Sequence, residues 1–349
     1  VFSVLDEHPL GSASVAQVHR AILKETGDEV AVKVMRPGVA EVVAKDILLM
    51  RRLLATYEFI NTSSAQISFE QLLDELERTS KDEMDLTIEM RYLARFHGNN
   101  VSREGIKSPR AFEKYSTSLM LTMDFARGPR LEQDGVLEQI PEDKRKDLAH
   151  LIAKNWMEQV LDDGFFHADP HPGNIRIREG QIVWLDMGMM GRITERDRKL
   201  MREAITAVSS HDVESLRRIV MAMGRITGPV DSMQLTSDID DFLSKYESIE
   251  LGGLDVGKML EELMDMAKRN HIAMPAGMTM LARGCMTIEG VLLQLSPETS
   301  IMAIVTRRVA QQRWDDLDLK RSAMDFASDL HGSFKKAARL PSQVSDLLR

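Results

Sequence analysis

Residues 165 to 188 read FFHADPHPGNIRIREGQIVWLDMG, and the rest of the chain is organised around them. Three polar groups stand out: Asp169, then Asn174, then Asp186 after a short apolar run. IRI and QIVWL alternate like two short strands around the turn Arg178-Glu179-Gly180. A hairpin there returns Asn174 and Asp186 to the same end. Both are hard oxygen donors of the kind Mg²⁺ prefers. A loop rich in turn residues is the plainer alternative, since Pro170, Pro172 and Gly173 are at home in one. His167 and His171 raise zinc as another, but the prolines forbid the helix that would align them, and no cysteine cluster accompanies them.

Asp-x-x-x-x-Asn followed by Asp-x-Gly is the spacing of a kinase-type phosphoryl-transfer site. That chemistry needs a metal held against phosphates and a polar group near the attacking oxygen. Two upstream stretches add to it. EVAVKVMRP, from Glu29 to Pro37, alternates as a strand with Lys33 in its middle. It matches the kinase Val-Ala-Ile-Lys strand, whose lysine bridges phosphate oxygens and a helix glutamate. PLGSASVAQVHRA, from Pro9 to Ala21, sets Gly11, Ser12, Ala13 and Ser14 between two strand-like pieces. Small residues let backbone N–H groups approach phosphates closely, although an ordinary turn has the same composition.

The chain has 349 residues, with 43% hydrophobic and 28% charged residues and a net charge of −9. It is long enough for two lobes. The acidic balance argues against nucleic acid as a partner and against binding anionic membrane through overall charge. The single cysteine, Cys285, rules out a disulfide framework and reads as a small apolar residue in a helix. The chain begins at Val1 on a strand-like FSVL, with no signal peptide, as if inside a longer protein. No run of about 18 uncharged apolar residues is present, so no transmembrane helix is expected.

Apolar periodicity predicts helices over 37–59 and 68–98, the second opened by a Ser68/Gln71 capping box. Two strands are expected between Ile106 and Arg127, a hinge over Asp124–Gly128, and a helix over Pro141–Asp163 with Trp156 and Leu161 on its apolar side. After Gly188 the chain runs directly to Thr194, which can cap a helix. A protein kinase would place an activation segment and an Ala-Pro-Glu motif here; neither exists. From Asp212 the chain reads as helices dense in methionine, best explained as adaptable core packing. An amphipathic helix is expected over Trp314–Leu330.

On PLGSASVAQVHRA, VAVKVMRPGV, the Glu83-x-Asp85 pair, HADPHPGN and DMGMMGRI, the sequence resembles the UbiB/AarF family of atypical kinase-like proteins. The resemblance spans almost the whole chain. It implies an α+β, bilobal protein-kinase-like fold: a small β-containing N-lobe over 1–128 and a mostly helical C-lobe over 129–349. It implies ATP and Mg²⁺ as cofactors, ATPase rather than ordinary protein kinase activity, and a link to isoprenoid quinone (ubiquinone) biosynthesis. Carried over by position, Lys33 is the ATP-site lysine, Glu89 its helix partner and Asp169 the catalytic-loop aspartate. Asn174 and Asp186 are metal ligands, Gly11 to Ser14 the family's alanine-rich loop, and Glu83 and Asp85 its regulatory Glu-x-Asp pair. Three departures matter. The loop begins Gly-Ser rather than Ala-Ala, Met187 replaces the usual phenylalanine, and the upstream Lys-x-Gly-Gln helix and C-terminal hydrophobic segments are absent from this sequence. Without that helix, Glu83 and Asp85, read as lying on one helix, are expected to be solvated.

The resemblance implies an ATP-dependent enzyme acting on a lipid or quinone-precursor ligand at the cytoplasmic face of a bacterial inner membrane, or at an organellar membrane. Membrane attachment would come through segments outside this chain. Two alternatives are a small-molecule phosphotransferase of the aminoglycoside/choline kinase type, whose His-Gly-Asp-x-His-x-x-Asn run HADPHPGN resembles, and a non-catalytic nucleotide-binding scaffold.

Overall fold

A computed structural model describes residues 1–13, 15–60, 66–247 and 254–309. Ser14 and the stretch Trp314–Leu330 lie outside these residues. The N-terminal region is an antiparallel sheet of β1 (Phe2–Leu5), β2 (Gly11–Ser12), β3 (Ala16–Leu23) and β4 (Glu29–Met35). It is joined by a later strand at 120–124, and β2 pairs with β3 off the main order. Alternation in β4 sorts its side chains. Val30 and Val32 pack with Ala21 and Leu23 on one face. Met35, on the other, packs with Ala16 and Leu121, and Ala31 and Lys33 share that face.

Next come α1 (Val39–Ile60), α2 (Gln66–Glu83) and α3 (Leu86–Asn100). The single helix expected over 68–98 is therefore two, and Ser68 lies inside α2 rather than at its cap. Asp85 causes the break. Its backbone is extended (φ −115°, ψ 95°), and its carboxylate accepts the Thr87 N–H and so caps α3. The apolar period runs through the break because Met84 and Leu86 both pack against the sheet.

The two strands expected between 106 and 127 form, but in different sheets. β5 (Ile106–Lys107) runs parallel to a strand of the 165–188 stretch, whereas β6 (Met120–Asp124) completes the N-terminal sheet beside β4. α4 (Glu142–Glu158) passes into a π-turn over Gln159–Asp163, stopped by Gly164 at φ 59°. Trp156 and Leu161 are fully buried.

The stretch 165–188 forms β7 (Phe165–His167) and the hairpin β8 (Ile175–Arg178)–β9 (Gln181–Trp184). Glu179 and Gly180 both have positive φ, 52° and 76°, as a two-residue primed turn requires. β10 (Met190–Arg192) pairs with β7. α5 (Glu195–Ser209) follows at once, the Thr194 hydroxyl accepting the Asp197 N–H. Beyond it lie α6 (Val213–Met223), β11 (Arg225–Ile226), α7 (Ser232–Glu247), α8 (Val256–Arg269), β12 (Ile272–Ala273) and α9 (Ala276–Leu295).

The contacts divide the chain into two compact units. The first comprises Val1–Arg198, Asp255–Asp265 and Met274–Thr299. Its α9 lies directly against α4 and β10. A Cβ on Gly284 would meet the Trp156 ring at 2.9 Å, and one on Gly277 the Arg192 carbonyl at 2.3 Å. Cys285 is buried on the same helix. The second unit holds Lys199–Leu254, Met266–Ala273 and the described residues from Ser300. Its core joins Leu216, Ile219 and Val220 of α6 with Leu235 and Ile239 of α7, all buried. Of the methionines expected in cores, Met259, Met266 and Met278 are buried while Met280 and Met286 are exposed.

Candidate active site

Register places Lys33. In β4 it stands between Val18 of β3 and Leu121 of β6. Its ammonium donates to both oxygens of Glu89, at 3.0 and 2.8 Å. Glu89 lies in the first turn of α3 and is 6% exposed. Asp85, the residue that starts α3, therefore orients the helix carrying this glutamate. It accepts from the Thr87 N–H at 3.0 Å and hydroxyl at 2.7 Å. The expectation that Glu83 and Asp85 share one helix as two solvated acids is thus corrected. Glu83 is the exposed last residue of α2, and Asp85 is a half-buried cap.

Asp186 approaches the same lysine from the other side, 3.6 Å from the Lys33 ammonium. It sits in the left-handed region at φ 50° and accepts the Gly188 N–H at 3.0 Å. A non-glycine residue held there signals a backbone constrained by its surroundings. The hairpin returns Asn174 to this end, where its carbonyl accepts the Leu185 N–H at 2.8 Å. The Asn174 amide N–H donates to the Asp169 carbonyl at 3.2 Å. Met187 is buried, so the position following Asp186 is packed by an aliphatic rather than an aromatic side chain.

Burial opposes the charge on Lys33, but the carboxylates of Glu89 and Asp186 outweigh it and hold its pKa above the ordinary lysine value. Burial pushes the Glu89 carboxyl up against the pull of Lys33. Burial also works against ionisation of Asp186, yet Lys33 and the Gly188 N–H prevail and keep it below the ordinary aspartate range. One cation thus stands between two acids.

Behind this group lies a buried polar network that sequence reasoning missed. Asn155 donates to Asn100 at 2.8 Å and accepts from the Trp184 indole and the Gln159 amide, both at 2.9 Å. Gln159 in turn accepts the His167 N–H at 3.1 Å. A fully satisfied network of this kind fixes one arrangement of β7 and β9. His167 is spent within it. Its Nδ1 accepts the Asp169 N–H and its Nε2 donates to the Leu185 carbonyl. Burial keeps the ring below its ordinary pKa, hence neutral. With both nitrogens committed, His167 cannot ligate zinc.

These residues open onto a cleft of about 280 Å³. Val18 and Ala31 line it from the sheet, Leu185 from the catalytic stretch, and Met123 to Ala126 from the segment expected to act as a hinge. Gly11, Ser12 and Ala13 line it as well. Their loop is held by Arg36, which donates to the Ser12 hydroxyl and, at 3.1 Å, to the Ala13 carbonyl. Arg36 stands in the VAVKVMRPGV run, and its backbone N–H donates to the Val15 carbonyl at 2.9 Å, which holds it beside this loop. Asp169 is not among the lining residues. Its carboxylate is 3.8 Å from Arg283, a partly exposed arginine of α9 more than a hundred positions away in sequence.

A nucleotide with Mg²⁺ fits this donor set. Among the described residues no cluster of three or more His, Cys, Asp or Glu could hold a metal alone. Mg²⁺ does not ask for one: it takes one or two protein ligands and completes its shell with phosphates and water. Asp186 offers a carboxylate 48% open at the cleft, and the Asn174 Oδ1 has no hydrogen-bond partner among the described residues.

Comparison with known proteins agrees with this geometry. Residues 1–220 match the ABC1 atypical kinase-like domain, and residues 239–300 the UbiB helical domain. A protein encoded in the hydrogenase 1 5′ region of Clostridium pasteurianum is 32% identical over 99% of this chain and 65% of its own length. A probable protein kinase UbiB of Shewanella loihica is 27% identical over 86% of this chain and 55% of its own. The chain thus spans between half and two-thirds of these relatives. A Mycobacterium tuberculosis structure, the Rv3197–erythromycin complex, superposes with a TM-score of 0.64 at 20% identity, covering 87% of this chain and 76% of the other, and shares the kinase-like fold. The β-sheet N-terminal region, the mostly helical remainder and the matched sequence over its first 220 residues together show that this chain belongs to the ABC1 atypical kinase-like family, with UbiB and AarF proteins among its relatives.

Proposed function

We propose that this protein is an atypical kinase-like ATPase that hydrolyses Mg-ATP in support of isoprenoid quinone (ubiquinone) biosynthesis or the handling of a lipid precursor. The observation that carries the reading is the convergence of Lys33, Glu89 and Asp186 on one cleft beside Asn174. Bound Mg²⁺ would neutralise charge on the phosphates. Asn174 and Asp186 hold that metal, and Lys33, steadied by Glu89, binds phosphate oxygens. The loop of Gly11, Ser12 and Ala13 covers them. Asp169 orients the attacking oxygen or accepts its proton.

The short path from Gly188 through β10 to α5 leaves no activation segment on which a peptide could be laid, which favours water or a small acceptor over a protein substrate. The quinone link rests on kinship with UbiB, and no helix of the described residues is long and apolar enough to cross a membrane. Attachment at a membrane face would come from elsewhere in a longer protein.

Phosphate release from Mg-ATP, with and without lipid or quinone-like phenols, tests the activity. Asp186→Asn tests the site: it should weaken the stabilisation by Mg-ATP in a thermal-shift titration. Equal stabilisation of wild type and variant would count against the metal assignment.

A further inference from the structure

Arg283, the cation that approaches Asp169, has no role in the reading above. Its Nη2 lies 3.8 Å from the Asp169 Oδ2. The packing of α9 fixes this approach. Leu281, Ala282, Cys285 and Ile288 are buried on that helix. A Cβ on Gly284 would lie 3.4 Å from the His167 carbonyl and 3.6 Å from the Ala168 Cα. That carbonyl is itself held, accepting the Trp156 indole N–H at 2.9 Å. The backbone of α9 therefore rests on the residues just before Asp169. Their neighbours in sequence, Arg283 and Asp169, are brought together where the contact opens to solvent, 55% and 31% exposed.

Neither side chain is used up by this contact. At 3.8 Å the pair is beyond hydrogen-bond distance. Among the described residues the Arg283 guanidinium makes no hydrogen bond and the Asp169 carboxylate accepts none. The stretch 165–188 brings no other cation to Asp169. Arg176 donates to the Gly128 carbonyl, and Arg178 meets Glu179 at 3.5 Å. Lys33 is engaged by Glu89 and Asp186 at the inner end of the cleft. Asn174 lines that cleft and donates to the Asp169 carbonyl, which places Asp169 and Arg283 at its edge.

A phosphoryl group in transfer spreads negative charge over three equatorial oxygens as it nears the attacking oxygen. A bare carboxylate beside the attacking oxygen repels that charge. A guanidinium at the same place cancels the repulsion and offers a planar fork of N–H donors to the moving oxygens.

We infer that Arg283 is a catalytic arginine supplied in cis from α9, which donates to the phosphoryl oxygens during transfer. This rests on the nucleotide reading above. The bond from the terminal phosphorus to the bridging oxygen breaks, its electron pair staying on the ADP oxygen. The bond from that phosphorus to the attacking oxygen forms. The proton of the attacking group passes to Asp169, and Arg283 neither gains nor loses one. An exposed, long side chain on a firmly seated helix has the reach to pass from Asp169 to the phosphoryl group.

Mg-ATP turnover of the full chain tests this, together with calorimetric titration of Mg-ADP with and without aluminium fluoride, a stand-in for the transferring phosphoryl group. Arg283→Gln should lower kcat by about 10²-fold, the value of one preorganised donor, and leave Mg-ADP affinity unchanged. Aluminium fluoride should tighten Mg-ADP binding in wild type, and Arg283→Gln should lose about tenfold of that gain. Arg283→Lys, which keeps the charge without the fork, should fall between the two. If Arg283 merely holds Asp169 in place, adding Arg283→Gln to Asp169→Asn costs nothing further, and that result overturns the inference. A further loss of about tenfold or more supports it. An unchanged aluminium fluoride gain in Arg283→Gln also overturns it and leaves the nucleotide reading standing, as does wild type that binds Mg-ADP without any such gain. If wild type binds no Mg-ADP, the nucleotide reading fails and the role of Arg283 falls with it.

Discussion

The two ends of the cleft treat charge in opposite ways. At the inner end a single ammonium stands between two carboxylates, and Lys33 and Glu89 are 12% and 7% exposed. At the hinge end Arg130 and Arg176 oppose each other, and Arg130 reaches the Glu132 carboxylate at 3.4 Å. The first arrangement sets opposite charges together, and the second sets like charges side by side. Burying ions is costly unless each is paired, so the inner end is built into the fold, whereas the hinge end carries the cost of two like charges set opposite each other. Stability should therefore depend on the inner charges far more than on the hinge-end pair.

The largest expected effect separates both ends from the chemistry. Asp169→Asn should lower ATP turnover by roughly 10²–10⁴, the range of general base catalysis, with nucleotide affinity kept. Steady-state rates beside calorimetric binding check it, and unchanged turnover would remove Asp169 from the mechanism. Next, Lys33→Met leaves Glu89 buried without its counter-charge and should cost about 3–5 kcal/mol in urea unfolding. Arg130→Met relieves a like-charge contact and should lie within about 0.5 kcal/mol of wild type or above it. Equal losses at both positions would erase the contrast between the two ends.

Glu289 supplies a third case, an acid met by backbone donors rather than a cation. It accepts the Val256 and Gly257 N–H groups at 2.8 and 3.2 Å, at the start of α8. Burial still pushes its carboxyl up to about 7. A folded pKa above the unfolded one means that the folded state holds the proton more tightly, so stability falls as pH rises from about 4.5 to about 7 and levels off beyond. Glu289→Gln should flatten that slope by about 1–2 kcal/mol, after discounting for partial exposure. Unfolding curves across this window that stay parallel for the two proteins would contradict it.

The smallest effect concerns the Glu-x-Asp pair. Asp85→Ala removes the cap of α3 and should cost about 1 kcal/mol. Glu83→Ala, at the exposed end of α2, should cost less than about 0.5 kcal/mol. Equal losses would mean that the cap contributes nothing. The same Glu83 change in a longer chain carrying the family's upstream helix should alter turnover.

Where local chemistry governs, the sequence was a sufficient guide. The β8–β9 hairpin was legible because alternation and a Glu-Gly turn specify it without help from elsewhere. Lys33 stood out because β4 alternates cleanly around it. The break at Asp85 was missed although its signal was present: an aspartate two residues before a threonine is a cap, but an unbroken apolar period concealed it. The Arg130–Arg176 pair, the Asn100–Asn155–Gln159 network and the approach of Arg283 to Asp169 are tertiary, and no spacing announces them. Most of the site's support belongs to this second kind.

The close seat of α9 has a consequence for how the chain is made. The helix that backs α4 and β10 at Gly284 and Gly277 belongs to the first compact unit, yet it is separated from Arg198 by residues of the second. A ribosome adding roughly 5–20 residues per second needs about 5–20 s to pass from Arg198 to Thr299. Throughout that interval the surface of Trp156 and Ala168 that Gly284 will cover has no backing. The first unit is therefore born unfinished, and a nascent chain is most exposed to aggregation and to chaperones just when its motifs have all been synthesised.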